Sequence, residues 1–220
     1  MDNAMFCYQC EQTAGGKGCT KMGVCGKTPE IANLQDLLIY QLKGISCYAM
    51  NLIDKGELMD KSIVEFVENT LFTTLTNVNF DPNVHVELLK QSQQIKEELR
   101  QRADKNVEYP EPATYQLAET KSEMLEDSVK AGIMYDQTLD ADVRSLRMTI
   151  IYGLKGVSAY GHQARFIGYQ DDEVDQFYFK ALACTTDDTL SQEQLIEMVM
   201  KTGNISILVM KILDEANTTT

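Results

Sequence analysis

The chain has 220 residues, 44% of them hydrophobic and 24% charged, with a formal net charge of −13. That composition is ordinary for a globular protein and excludes wholesale disorder, and the length suits one or two domains with a sizeable core. The acidic balance excludes a general phosphate-backbone binder, so no nucleic-acid partner is expected. No apolar run approaches the roughly 20 residues of a membrane span, so no membrane partner is expected either. Met1 to Cys10 carries neither the basic region nor the apolar stretch of a secretory signal. The expected compartment is therefore the cytoplasm, where thiols stay reduced, and six cysteines there need a reason other than disulfides.

Four of the six lie near the start: Cys7, Cys10, Cys19 and Cys25, spaced C-x2-C-x8-C-x5-C. Such a cluster reads first as a metal site, and three readings compete. An iron–sulfur cubane needs four thiolates arriving from different directions. Here one C-x-x-C supplies two, and loop cysteines supply the others. Gly15, Gly16, Gly18, Gly23 and Gly26 would let the backbone wrap closely and aim N–H groups at sulfur. Lys17, Lys21 and Lys27 outweigh Asp2 and Glu11, so residues 1–27 carry +1 while the rest carries −14. A locally basic loop suits an anionic cluster. Structural zinc is the second reading, although zinc ribbons usually pair two C-x-x-C knuckles and only one is present. Disulfides or free thiols are the third and would need an oxidising compartment. Gln12 or Thr13 could hold the loop through side-chain hydrogen bonds. Phe6 and Tyr8 are expected to shield or pack it.

Beyond residue 27 the periodicity is helical. Ile31, Leu34, Leu38, Ile45 and Leu52 share a face, and Thr28-Pro29 reads as N-cap plus first-turn proline. Further helical stretches are expected over 58–75 and 82–103, the latter opened by Asp81-Pro82. A connector from about Asp104 to Asp140 begins with the extended Tyr109-Pro110-Glu111-Pro112 and could be helical over 113–135. Residues 150–161, IIYGLKGVSAYG, then repeat residues 38–49, LIYQLKGISCYA. Seven of twelve positions are identical at an offset of 112. Helices over 171–184 and 191–216 follow, the last opened by a capping box from Ser191 to Gln194. A period this long is no solenoid. It predicts an all-α fold with two copies of a three-helix unit, each burying its own apolar stripe. The expected divisions are 1–27 (cysteine loop), 28–103 (first three-helix bundle), 104–140 (acidic connector) and 141–220 (second bundle). The repeated L-K-G-[IV]-S-x-Y has two readings: helix packing alone, or a seat for the metal loop. Gly44 and Gly156 cost roughly 1 kcal/mol each against Ala unless something approaches closely. Cys47, Cys184, His85 and His162 are expected in packing, structural or surface roles.

The segments Phe6-Cys7-Tyr8-Gln9-Cys10-Glu11-Gln12-Thr13, Gly18-Cys19 and Gly23-Val24-Cys25-Gly26-Lys27 resemble the N-terminus of the hybrid cluster proteins, also called prismane proteins or hydroxylamine reductases. Leu42-Lys43-Gly44, Tyr152-Gly153-Leu154-Lys155-Gly156 and Leu213-Asp214-Glu215-Ala216-Asn217-Thr218 extend the resemblance along essentially the whole chain. It implies that Cys7, Cys10, Cys19 and Cys25 hold a [4Fe–4S] cluster, as in the members with this spacing. Others with longer spacing carry [2Fe–2S]. It implies electron transfer from a redox donor protein toward a hybrid iron–sulfur–oxygen cluster, where hydroxylamine is reduced to ammonia and water. Nitric oxide reduction is also attributed to the family. Its members run to more than twice this length, and two further α/β domains supply the hybrid-cluster ligands. Thr220 falls about where the helical first domain ends, so no catalytic residue is assigned here. These 220 residues alone are not expected to reduce hydroxylamine. The downstream domains are the expected partners, and an apolar face bared by truncation would favour a homodimer.

Overall fold

A computed structural model describes residues 5–135 and 137–219. Met1 to Ala4 and Thr220, the outer ends of the expected cysteine segment and second bundle, lie outside the described residues, as does Asp136. The chain is all-α: α1 (Pro29–Ile53), α2 (Lys61–Thr73), α3 (Pro82–Arg102), the single turn α4 (Glu111–Thr114), α5 (Lys121–Ala131), α6 (Ala141–Phe166), α7 (Asp172–Cys184) and α8 (Gln192–Thr219). The start signals act as expected. Thr28 Oγ1 accepts from Ile31 N at 3.3 Å, and Asp81 Oδ1 accepts from Asn83 N at 2.8 Å. Ser191 and Gln194 exchange the two hydrogen bonds of a capping box. The connector stretch 113–135 is helical in part, in two pieces. Tyr115 leaves the helical conformation, and a second capping box at Thr120 and Glu123 restarts the chain as α5.

The repeat runs further than its matching letters. Each copy's long helix stops at a glycine with positive φ, Gly56 at 87° and Gly168 at 92°, a conformation that other residues reach only with strain. Around both, the same pair of hydrogen bonds closes the turn: Glu57 N to Leu52 O and Gly56 N to Ile53 O, against Tyr169 N to Ala164 O and Gly168 N to Arg165 O. All four positions keep the offset of 112. With one residue dropped, the match continues to Thr74 and Thr185, whose hydroxyls each donate to the carbonyl three residues back.

Within each copy the first and third helices pack together, α1 on α3 and α6 on α8. The middle helices cross over. α2 lies chiefly on α6, and α7 chiefly on α1. The apolar stripes are therefore not closed within each unit, as periodicity alone suggests. One core runs through both, from Leu42, Ile45 and Leu71 to Leu154, Val157 and Val209. Arg165 of α6 locks the exchange electrostatically. Its Nε donates to Glu68 Oε1 of α2 at 3.0 Å, and its Nη2 pairs with Asp175 of α7. A second, smaller core under the connector joins Leu34, Leu37 and Leu38 of α1 to Leu89, Tyr115 and Met124.

The two repeated glycines differ. A Cβ on Gly44 would lie 2.2 Å from Pro112 O. That backbone is held in place by Lys96, whose Nζ donates to Pro112 O at 3.3 Å and Tyr115 O at 2.6 Å. A Cβ on Gly156 would meet nothing within 4 Å. Gly44→Ala is accordingly expected to destabilise the fold by about 1–3 kcal/mol through overpacking. Gly156→Ala should stabilise it by up to about 1 kcal/mol through helix propensity. Urea denaturation of the two variants checks the opposite signs.

Candidate metal centre

The four loop cysteines sit on a short scaffold of backbone hydrogen bonds. Cys7 and Cys19 face each other as an antiparallel bridge, Cys7 N to Cys19 O at 3.1 Å and Cys19 N to Cys7 O at 2.8 Å. Thr13 clamps this pair, its Oγ1 donating to Cys7 O at 3.1 Å and lying 3.7 Å from Cys19 Sγ. Cys10 opens the turn closed by Thr13 N to Cys10 O, at 3.2 Å. Cys25 lies in the turn spanned by Gly26 N to Gly23 O and Gly23 N to Lys27 O, both 2.8 Å. Gly18 is required where it stands: its φ is +137°, and a Cβ there would meet Phe6 Cε2 at 2.6 Å.

Cys19 is the most enclosed of the four. It is buried against Met5 and Ala32 of α1. Ala14 N points at its sulfur from 3.4 Å. Backbone N–H groups of Ala14 and Val24 directed at this sulfur lower its thiol below the usual range. N–H groups aimed at sulfur favour thiolate, the form that binds metal. Cys7, Cys10 and Cys25 are half-buried. Among the described residues, no three His, Cys, Asp or Glu side chains converge on a point that could hold one metal ion. A cluster asks for less convergence than an ion, because each thiolate meets a different iron. By donor chemistry the loop suits such a cluster: four thiols, glycine turns and N–H groups facing sulfur.

The loop rests on both copies of the repeat. Lys155 of α6 donates to Gln9 Oε1 at 3.1 Å and to Thr74 O at 3.3 Å. The Tyr152 ring meets Tyr8 edge-on at 5.5 Å, and Tyr8 packs on Phe6 at 5.4 Å. This is the seating role open to the repeated L-K-G, and its second copy performs it. Lys17 and Lys21 are exposed, whereas Lys27 is buried. Lys27 Nζ donates to Gln35 Oε1 of α1 at 2.5 Å, and Gln35 Nε2 lies 3.2 Å from His85 Nε2 and 3.3 Å from Asn79 O. His85 Nδ1 donates to Asp81 O at 2.7 Å, which leaves Nε2 to accept from Gln35. His85 is thus a structural tie between α1 and α3, not a ligand. His162 stacks on Phe72 and bonds Asn69 Oδ1 at 2.6 Å. Cys47 and Cys184 pack against the main core, far in sequence from the loop, and burial raises both thiols.

Behind the Cys7 side of the loop lies a small cavity between α1 and α6, lined among others by Cys7, Gln9, Lys27, Asp36, Lys43, Tyr152 and Lys155. Sequence reasoning singled out Lys43 and Lys155 only as parts of a repeat, and Asp36 not at all. The signal available was the repeated lysine itself, which packing alone does not require.

Because Gly18 fixes Phe6 against the loop, Gly18→Ala should loosen the bridge and expose the Cys19 thiol. Alkylation of the metal-free protein, mapped by mass spectrometry, is expected to modify Cys19 at least tenfold faster in the variant. An unchanged rate would show that the loop absorbs the side chain.

Comparison with known proteins shows the family. The model of the Prismane/CO dehydrogenase family matches residues 5–220. A hydroxylamine reductase of Desulfovibrio desulfuricans is 43% identical over 220 residues, covering 100% of this chain and 40% of that protein. The hydroxylamine reductase of Syntrophobacter fumaroxidans is 41% identical, covering 97% of this chain and 40% of that protein. That of Halothermothrix orenii is 40% identical, covering 98% and 40%. The chain thus spans about two fifths of the length of the curated relatives it matches. With a match over nearly every residue, the chain belongs to the Prismane/CO dehydrogenase family.

Proposed function

We propose that this chain is the iron–sulfur electron-transfer domain of a hydroxylamine reductase, with Cys7, Cys10, Cys19 and Cys25 as the four ligands of a [4Fe–4S] cluster. The observation that carries this reading is the loop itself: four thiols on a bridged, glycine-turned scaffold with backbone N–H groups turned to sulfur, in a chain about 40% identical throughout to hydroxylamine reductases. When bound, such a cluster supplies one-electron transfer, and four protein thiolates leave no open position for substrate. The chain's own residues hold the scaffold rigid. Thr13 fixes the Cys7–Cys19 pair, Lys155 anchors Gln9 between Cys7 and Cys10, and Phe6 with Tyr8 covers one side in apolar surface. Rigid seating lowers the reorganisation that accompanies a change of charge.

In this reading the donor is a redox protein in the cytoplasm that docks near the loop, and the acceptor lies in further domains of the full-length enzyme. Reduction of hydroxylamine to ammonia and water, and of nitric oxide, belongs to those domains. These 220 residues alone supply the electron relay and not the catalysis.

Anaerobically purified protein is expected to contain about four iron and about four acid-labile sulfide per chain with a brown chromophore. Cys19→Ser should lose both together. Zinc in place of iron would overturn the electron-transfer role and leave a structural metal domain. With a chemical electron donor, this chain is expected to reduce hydroxylamine no faster than the Cys19→Ser control; a rate above that control would put catalysis inside these residues.

A further inference from the structure

The cavity behind the loop is built by the duplication. Three pairs of equivalent residues line it: Asp36 with Met148, Ile39 with Ile151, and Lys43 with Lys155, each pair separated by the offset of 112. α1 and α6 therefore present the same face to the cavity from opposite sides. Two positions per helix matter, seven residues or two turns apart. At the later position both copies carry lysine. At the earlier one α1 carries Asp36 and α6 carries the uncharged Met148. The loop adds Lys27. Three ammonium groups thus face one carboxylate in a space of about 40 Å³, room for only a few ordered waters.

Such a group is unfavourable by itself. Burial pushes the Lys43 ammonium down to about 8 and lowers Lys155, with Lys27 adding repulsion. Burial also raises Asp36, against the pull of the three lysines. Arg147, itself paired with Asp188 at 2.9 Å, also repels Lys43. Tyr152, also at the cavity, has its hydroxyl buried beside Tyr8 of the loop. Excess buried positive charge is costly unless a negative charge lies nearby. The cavity wall that includes Cys7 and Gln9 is the inner side of the cysteine loop, and a metal centre held by four thiolates is an anion.

We propose that Lys43 and Lys155, with Lys27, are the counter-charge of the thiolate-bound metal centre, and that Asp36 trims this charge, so that the cavity sets the centre's reduction potential. The proposal rests on the cluster reading above for its redox consequence. Its electrostatic content is independent of the metal, since a tetrathiolate zinc centre is an anion too. Positive charge close by favours the more negative, reduced state. Removing a lysine should therefore lower the potential, and removing the carboxylate should raise it. Lys43 is the informative lysine, because among the described residues no hydrogen bond ties it to the loop, whereas Lys155 also holds Gln9.

The test is a spectroelectrochemical titration of the iron–sulfur-loaded protein. Lys43→Gln is compared with the parent at pH 7, where the ammonium is charged, and Asp36→Asn at pH 8.5, where the carboxyl is more fully ionised. The expected result is a shift to lower potential for Lys43→Gln, a shift to higher potential for Asp36→Asn, and near-parental behaviour for Lys43→Arg. A merely structural role would not produce opposite signs from neighbours in one cavity. Unmoved potentials, or shifts of the same sign, overturn the proposal while the measured iron and sulfide leave the cluster reading standing. If Lys43→Gln does not fold, the sign for Asp36→Asn alone decides. If the loop takes up zinc instead, the cluster reading fails, and the counter-charge is read from zinc affinity: at least threefold weaker for Lys43→Gln and tighter for Asp36→Asn. A loop that holds neither metal overturns both.

Discussion

Two buried lysines, Lys27 and Lys155, with the half-buried Lys43 and Asp36 beside them at one cavity, are the constraint around which the rest is arranged. Charges are rarely held away from water unless every neighbour is fixed. Here the partners of Lys27 and Lys155 are fixed. Gln35 receives Lys27 and is itself braced by Asn79 O and His85. Thr74 O and Gln9 receive Lys155. The apolar faces of α1 and α6 keep the two helices in register on α3 and α8. Shifting either helix by one residue would turn its lysine away from the cavity, so burial of the leucine stripes and placement of charge are one requirement.

Local grammar was legible in the sequence. Thr28-Pro29, Asp81-Pro82 and Ser191 to Gln194 mark helix starts because capping is an interaction within one turn, and the structure makes each bond. The duplication was legible for the same reason. What was not legible is where each stripe goes. Periodicity states that a helix has an apolar face and is silent about which helix covers it, so the crossing of α2 and α7 could not be read. Lys27 was indistinguishable from the exposed Lys17 and Lys21 until its path to Gln35 was seen. Asp36 gave no signal at all, since an acid inside an apolar helix reads as a solvent-facing position.

The duplication also explains why the two halves are no longer equal. Gly44 accommodates the connector backbone at Pro112, and Gly156 accommodates nothing. Tyr152 touches the loop, while its counterpart Tyr40 packs edge-on against Tyr115 of the connector. The first copy has specialised in holding the connector and the second in seating the cysteines. Lys43 and Lys155 remain alike because both still face the same space.

The exchange of middle helices has a consequence in time. α1 is complete at Ile53, but the helix that covers much of it, α7, ends at Cys184. At a synthesis rate of about 5–20 residues per second, the face of α1 meant for α7 waits on the order of 10 s before its cover exists. During that interval Met50 and Ile53, which share a groove with Phe177 and Lys180 of α7 in the finished fold, belong to a half-built surface. A bundle of local helices would normally assemble in microseconds to milliseconds. This one must first be finished by the ribosome.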